Sequence, residues 1–361
     1  MARVKLCDVI VRANTKVDKD NTDLIYYVGG EHFESGNVTV ENKGLIAGST
    51  IGPMFYYGFR RGQFLLVSRN PHLKKAGVVD FDGICSEKTF VLETADPSVL
   101  LPEYLPFVLQ NDTFWDYAVE HKHGSTNFFI NWSTLANYEF DLPSLEVQKR
   151  ISKLAWAAHN LKKSYRKQLA ATDDLVKSQF IEMFGDPNSS RDTVPFEVAF
   201  TIRDDLRKPI NDAVRAEMHD GATYPYYGAN GQVDTINQYL MDCTALCLAE
   251  DCGAYGPGEP SSYIVQGKCW VNNHAHVIIP NDNCDLHYAN AFFRILDMRP
   301  YVSGSTRLKL TQGKMKEIPV VLPSLDEQKQ FARFIEQSDK SKLTSKFNQE
   351  VCICLQKPIL K

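Results

Sequence analysis

Two blocks of this 361-residue sequence return at a constant offset of 180 residues. Gly-Ser-Thr at 124–126 reappears at 304–306, and Leu142-Pro-Ser-Leu-Glu-Val-Gln-Lys149 reappears as Leu322-Pro-Ser-Leu-Asp-Glu-Gln-Lys329. Nothing is inserted or deleted between the blocks of either copy, so the chain reads as a duplication that presents two similar surfaces. Two pseudo-equivalent reading heads suit a target that itself has two halves, and DNA is the commonest such target.

Composition sets bounds on that reading. With 43% hydrophobic and 11% aromatic residues the chain has apolar material for two ordinary domains. The nine cysteines are odd in number and scattered, and Met1 to Asp8 holds no apolar signal core, so a reduced, cytoplasmic protein is expected. No run approaches the roughly 18 to 20 apolar residues of a membrane span, so no membrane partner is expected. A net charge of -4 excludes an indiscriminate nucleic-acid binder, because phosphate neutralisation needs clustered cations. Any DNA contact must come from local patches.

Four segments separate by pattern. Residues 1–141 carry short β-branched and aromatic runs at Leu24 to Val28, Gln63 to Val67, Gly77 to Asp80 and Lys88 to Leu92, and a helical stretch near Pro102 to Val119. From Ser144 no Gly or Pro appears until Gly185, and apolar residues recur every three or four positions. One long amphipathic helix is predicted within 142–186, with Ser144 as N-cap and Gly185-Asp-Pro187 as its stop. Residues 187–321 return to strands at Tyr224 to Asn230, Ala245 to Glu250, Tyr263 to Val265 and His274 to Ile279. A distal helix then occupies 322–361, without the Phe-Gly-Asp stop found at 184–186. The fold class is therefore α+β: two tandem strand-rich domains separated by two long helices that bury their stripes as an antiparallel coiled coil, with a pseudo-twofold internal repeat. Ile151, Leu154, Leu161, Leu169, Phe331, Ile335 and Phe347 are the expected pairing residues.

At this point specific strings carry a resemblance. Leu142-Pro-Ser-Leu-Glu-Val-Gln-Lys-Arg-Ile151, Gln179-Phe-Ile-Glu-Met-Phe-Gly-Asp-Pro187 and Leu322-Pro-Ser-Leu-Asp-Glu-Gln-Lys329 resemble the helical regions of the specificity subunit of type I restriction-modification systems. Tyr224-Pro-Tyr-Tyr-Gly-Ala-Asn-Gly231, Ala249-Glu-Asp-Cys-Gly-Ala-Tyr-Gly-Pro-Gly258, Trp270-Val-Asn-Asn-His-Ala-His-Val277 and Val79-Asp-Phe-Asp-Gly-Ile-Cys-Ser86 look like target recognition domains of that family. The resemblance implies recognition domains at 1–141 and 187–321, each reading one half of a bipartite, asymmetric sequence, with the helices setting the spacer. It implies double-stranded DNA, two methyltransferase subunits and restriction subunits as partners. It further implies no cofactor on this chain, S-adenosylmethionine belonging to the methyltransferase and ATP with Mg to the restriction subunits. No catalytic residue is expected here, since neither a Walker loop nor a methyltransferase tetrapeptide nor a hydrolase elbow is found.

Base readout needs Arg, Lys, Asn or Gln, and phosphate contacts need cations, hydroxyls or free amides. The DNA-contact candidates in the first module are Arg60, Arg61, Arg69, Lys74, Lys75, Lys122, Ser125 and Thr126. In the second they are Tyr226, Tyr227, Asn230, Ser305, Thr306, Arg307 and Lys309. The plain alternative for each cation is a solvated surface charge, and for each Gly-Ser-Thr loop an ordinary connection. Cys243, Cys247, Cys252, Cys269, His274 and His276 lack any Cys-x-x-Cys pair, so no metal site is expected. Glu250-Asp251, Asp80 and Asp82 read as turn residues or acceptors from a cytosine amine rather than nuclease carboxylates. Residues 144–184 hold eight Lys and Arg against four Asp and Glu, which either line DNA at the spacer or solvate the outer helix face, the second being the favoured reading. The competing functional readings are a coiled-coil adaptor for proteins, or a solitary specificity-like protein without restriction activity.

Overall fold

The computed structural model describes residues 2–251, 253–304 and 307–356, with side chains as far as Thr344 on the last helix. It divides into two compact units, residues 1–165 with 347–361, and residues 166–346. Each unit contains one strand-rich module and a share of the long helices, α1 (Leu145–Phe184) and α2 (Leu325–Gln356). No helix among the described residues is long and apolar enough to cross a membrane.

In the first unit, Phe64–Val67 and Thr89–Thr94 form the middle of a five-stranded sheet ordered Ile10–Ala13, Thr89–Thr94, Phe64–Val67, Ala76–Val79, Thr39–Val40. Both faces of this sheet are covered, which explains an unbroken apolar run in the sequence. Phe64, Leu66, Phe90 and Leu92 point to one side, where they pack with Leu105, Leu109, Phe114 and Trp115. Leu65, Val67 and Val91 point to the other, against Val28, Phe59 and Cys85 of a second sheet. That second sheet runs Gly44–Leu45, Tyr26–Val28, Gly83–Ser86, Phe55–Phe59, and its central pair is parallel. The helical stretch expected near 102–119 is two helices, Leu105–Leu109 and Asp112–Glu120. Asn111 breaks it by accepting the Thr113 N–H as an N-cap.

The second unit repeats this plan with different residues. Its first sheet is ordered Phe200–Ile202, Ala275–Pro280, Ala245–Ala249, Ser262–Val265, antiparallel throughout like the first four strands of its counterpart. Its second sheet is ordered Gly231–Ile236, Tyr224–Gly228, Lys268–Val271, Met241–Asp242, again antiparallel, parallel, antiparallel. The eight strand runs expected from the sequence all coincide with strands in these sheets.

The repeated Pro-Ser-Leu-x-x-Gln block has one job in both units. Gln148 is fully buried, donates from Nε2 to Val99 O and Pro143 O, both at 2.9 Å, and accepts the Leu101 N–H at 2.9 Å. Gln328 is equally buried, donates to Asn283 O at 3.0 Å and Pro323 O at 2.8 Å, and accepts the Asp285 N–H at 2.7 Å. Each glutamine ties the foot of a long helix to its own module.

The contacts of the long helices revise the expected seam. Within the second unit, Phe180 of α1 packs edge-on to Phe331 of α2 at 5.5 Å between ring centres, and Asp173 Oδ1 pairs with Lys342 Nζ at 2.7 Å. Contact positions thus rise along α2 as they fall along α1, so these segments are antiparallel. Phe331 and Ile335 join the same core as Phe180. Leu169 is half-buried, and the Phe347 side chain lies outside the described residues. In the first unit the pairing role expected of Leu154 and Leu161 is corrected, since they are 57% and 45% exposed. The buried stripe there is Gln148, Ser152, Ala155 and His159, and Ile151 is only half-buried. That stripe is mostly polar because Gln148 and His159 meet the module through hydrogen bonds, to Val99, Leu101 and Thr39, as well as Ala155 through Val38 and Phe107. A search for apolar periodicity therefore selects the neighbouring face.

Two outcomes follow from these contacts. Gln148→Ala and Gln328→Ala each strand buried backbone groups and should each cost about 2–3 kcal/mol in urea unfolding, with separate and additive effects. Leu154→Asp should change stability by less than about 0.5 kcal/mol, whereas Ala155→Asp buries a carboxylate and should cost several-fold more. Equal losses at the two positions in the same unfolding experiment would contradict the assigned face.

Candidate nucleic-acid interface

The Gly-Ser-Thr block of the first module lies in a tight excursion closed by a two-residue bridge, and an equivalent bridge stands beside Gly304 in the second. His123 and Phe129 exchange backbone hydrogen bonds of 2.7 and 3.0 Å, and Ser303 and Lys309, each 180 residues on, exchange bonds of 3.0 and 2.8 Å. The turn needs glycine in both copies. Gly124 has φ of +91° and Gly304 of +109°. A Cβ at Gly124 would stand 2.6 Å from Asn127 O, and one at Gly304 would come closer still to Arg307 O. Ser125 and Thr126 are exposed at the first tip, whereas Ser305 and Thr306 lie outside the described residues.

The roots of the two loops are built on equivalent strand ends. Ile130 N donates to Ser68 O at 2.9 Å and Leu310 N to Glu250 O at 2.7 Å, while Arg69 bridges to Phe129 as Asp251 does to Lys309. Ser68 and Arg69 in the first module therefore stand where Glu250 and Asp251 stand in the second.

In the second module this root is a packed ionic network. Arg207 Nη2 pairs with Asp204 Oδ2 at 2.9 Å, and its Nη1 binds Glu250 and donates to Ala275 O at 2.9 Å. His276, buried, meets Asp204 through Nδ1 at 2.7 Å and Leu310 O through Nε2 at 2.8 Å. The loop cations dock on this base: Lys309 Nζ lies 2.8 Å from Glu250 and Arg307 Nη2 3.0 Å from Asp251, which also holds His274 Nδ1 at 2.7 Å. Burial pushes the carboxyls of Asp204 and Glu250 upward. Bonds from His276 and Gln312 to the first, and from Lys309 and Arg207 to the second, outweigh it, and both sit below the ordinary range. Glu250 and Asp251 are thus anchors of the loop root, which corrects their expected role as turn residues or base acceptors. No composition signal could have joined Asp204, Arg207 and Gln312 to that pair across the sequence.

In the first module the root is open. A cavity of about 320 Å³ is walled by Arg12, Arg69, Lys88, Phe90, Phe129 and Trp132, among others. The Arg69 guanidinium lies 5.5 Å from the Phe129 ring centre, and that of Arg12 lies 4.8 Å from Phe90 and 5.4 Å from Tyr57. Lys122 Nζ stands 4.8 Å from the Phe128 ring beside the loop.

The remaining candidates divide by engagement. Arg60 is exposed and 3.9 Å from Glu93. Arg61 donates from Nε to Asp80 O at 2.6 Å and from its backbone to Asp82 at 2.7 Å, which stabilises a turn. Lys74 pairs with Asp112 at 2.7 Å, and Lys75 donates to Gly30 O at 2.7 Å, so both brace loops of their own module. Tyr226 is corrected outright: at 1% exposure it packs with Met218, Ile236 and Trp270 and cannot meet a ligand. Tyr227 is half-buried and stacked on Tyr263 at 5.6 Å, and Asn230 is exposed in the turn that follows. Among the described residues no group of three His, Cys, Asp or Glu side chains could hold a metal. Cys247 is a core residue whose thiol burial pushes up to about 12.

Comparison with known proteins finds likenesses of sequence and of fold. Residues 207–352 match the model of the type I restriction modification DNA specificity domain. A putative type I restriction enzyme specificity subunit of Haemophilus influenzae is 28% identical over 145 residues, which are 39% of this chain and 36% of that relative. The match therefore spans little more than a third of the curated relative's length. Among solved structures, the type I restriction-modification S subunit from M. genitalium aligns with a TM-score of 0.59 at 13% identity, covering 100% of this chain and 95% of that one. A chain from a study of complex assembly and conformational transition of the type I R-M system aligns with a TM-score of 0.52 at 17% identity, covering 99% and 96%. Residues 207–352 are thus similar to the type I restriction modification DNA specificity domain, and the chain as a whole shares the fold of a solved type I S subunit.

Proposed function

We propose that this chain reads a bipartite, asymmetric DNA sequence, one half through each module, and directs methyltransferase and restriction subunits to it. The observation that carries this reading is the duplicated module with its duplicated loop. The same strand order, glycine turn and buried glutamine recur, while the side chains around the loops differ. Equivalent frames with unequal surfaces suit two unlike half-sites. Recognition domains at 1–141 and 187–321, with helices at 142–186 and 322–361 between and after them, assign the spacer to the helices. Catalysis belongs to the partners, the methyltransferase subunits using S-adenosylmethionine and the restriction subunits ATP with Mg. Leu154 and Leu161, exposed on α1, offer those partners an apolar surface within the first unit.

The test is to express the chain with the methyltransferase encoded beside it in a host lacking adenine methylation, and to sequence the modified bases. A split motif with two unlike halves and an unread gap is expected, and exchange of residues 1–141 for another such module should alter one half only. No methylation from a soluble complex would favour the adaptor reading. Leu154→Asp combined with Leu161→Asp should keep the fold yet lose the co-purifying methyltransferase. Undiminished co-purification would move the docking surface elsewhere.

A further inference from the structure

The two loop roots occupy equivalent places with unequal charge. In the second module Arg307 and Lys309 are met by Asp251 and Glu250 of the same chain. At the matching positions the first module has Arg69 and Ser68. Arg69 and Arg12 face aromatic rings and form no salt bridge among the described residues. Arg12 Nε is buried without a hydrogen-bond acceptor there, a costly state for a guanidinium unless a ligand supplies one. The carboxylate on the rim, Glu87, is already held by Lys88 and by Tyr56 Oη at 3.3 Å. Burial pushes the Tyr56 phenol up, and Tyr57 and Glu87 add to it, so Tyr56 stays a neutral donor to Glu87.

We propose that the cavity walled by Arg12, Arg69 and Lys88 is a phosphodiester site, which holds the backbone of the DNA strand that passes the Gly124 loop. The inference rests on the DNA-reading function above and adds an inequality to it. A phosphate entering this cavity meets two arginines that form no salt bridge among the described residues, the nearby Glu87 being held by Lys88, so it displaces counterions from DNA without breaking an arginine salt bridge in the protein. At the second root the loop cations are already neutralised in the chain. A phosphate there must compete with Asp251 and Glu250, so that root yields less salt-dependent affinity. The planar guanidinium of Arg69, steadied on Phe129, suits the paired oxygens of a phosphodiester.

The experiment uses the assembled complex with its methyltransferase subunits and a duplex carrying the motif recovered by methylome sequencing. Binding is followed by fluorescence anisotropy across a salt series. For Arg69→Gln and Arg12→Gln the slope of log Kobs against log salt should fall by about 1 each, with the methylated motif unchanged. Arg69→Lys and Arg12→Lys should keep the wild-type slope. Arg307→Gln and Lys309→Gln should lower it by less than the first-module variants. An unchanged slope in Arg69→Gln and Arg12→Gln would overturn the site, and so would a change of base identity in the motif, which would mark base readout instead. Should Arg12→Gln melt early in a thermal scan, Arg69→Gln decides alone. A wild-type complex that binds no duplex at any salt would sink the DNA-reading function itself, an outcome distinct from failure of this site.

Discussion

The buried glutamine at the foot of each long helix is the constraint on which the rest of the molecule turns. A primary amide removed from water must satisfy its two donors and its acceptor or cost stability, and here all are met by backbone groups of one module and of the helix entry. Such a group tolerates little rotation. Each helix therefore leaves its module along one direction, and the repeated block reproduces that direction twice in one chain. In the second unit the consequence is visible: with Gln328 docked and Tyr288 Oη donating to Val321 O at 2.6 Å, Phe331 faces Phe180 and Tyr288 in a continuous aromatic core. Burial of each of these rings contributes on the order of 2 kcal/mol.

The modules hold a shared frame and vary what it carries. Their sheets follow the same order and sense, and the loop turn is made by glycine at matching places because any Cβ would strike a carbonyl across the turn. Around that frame the first module leaves cations against aromatic rings, whereas the second spends its acidic residues on its own loop. Function lives in that difference, since frames alone cannot tell one sequence from another. The ionic network of the second root also shows why a charge says little by itself: Glu250 and Asp251 read in sequence as turn residues or base acceptors and prove to be anchors of the loop root in place.

Much of the plan was legible in the chain before any coordinates. The offset of 180 residues between Gly124 and Gly304, and between Gln148 and Gln328, established two copies of one module. The Gly- and Pro-free stretch after Ser144 established a helix of about 40 residues. Strand runs such as 64–67 and 245–249 were readable because both of their faces are buried, leaving unbroken apolar strings. These are local properties, governed by backbone propensity and by burial of neighbouring residues.

What only the tertiary structure decided are matters of partnership between distant residues. The side of α1 turned to the first module is polar, so the periodicity of leucines pointed to the wrong face, and Leu154 and Leu161 are exposed. Tyr226 sits in a turn-rich string that suggests a surface but alternates inward on its strand. Lys74, Lys75 and Arg61 are answered by groups 19 to 45 residues away, and no spacing rule announces such pairs. The unequal charge of the two loop roots arises from strands that are remote in sequence and adjacent in the sheet. Sequence by itself determined that there are two modules and what elements they contain, because repeats and periodicity are written locally. Which side chains stand free to meet a ligand was settled only by folding, because an ion pair or a buried ring depends on what is brought beside it.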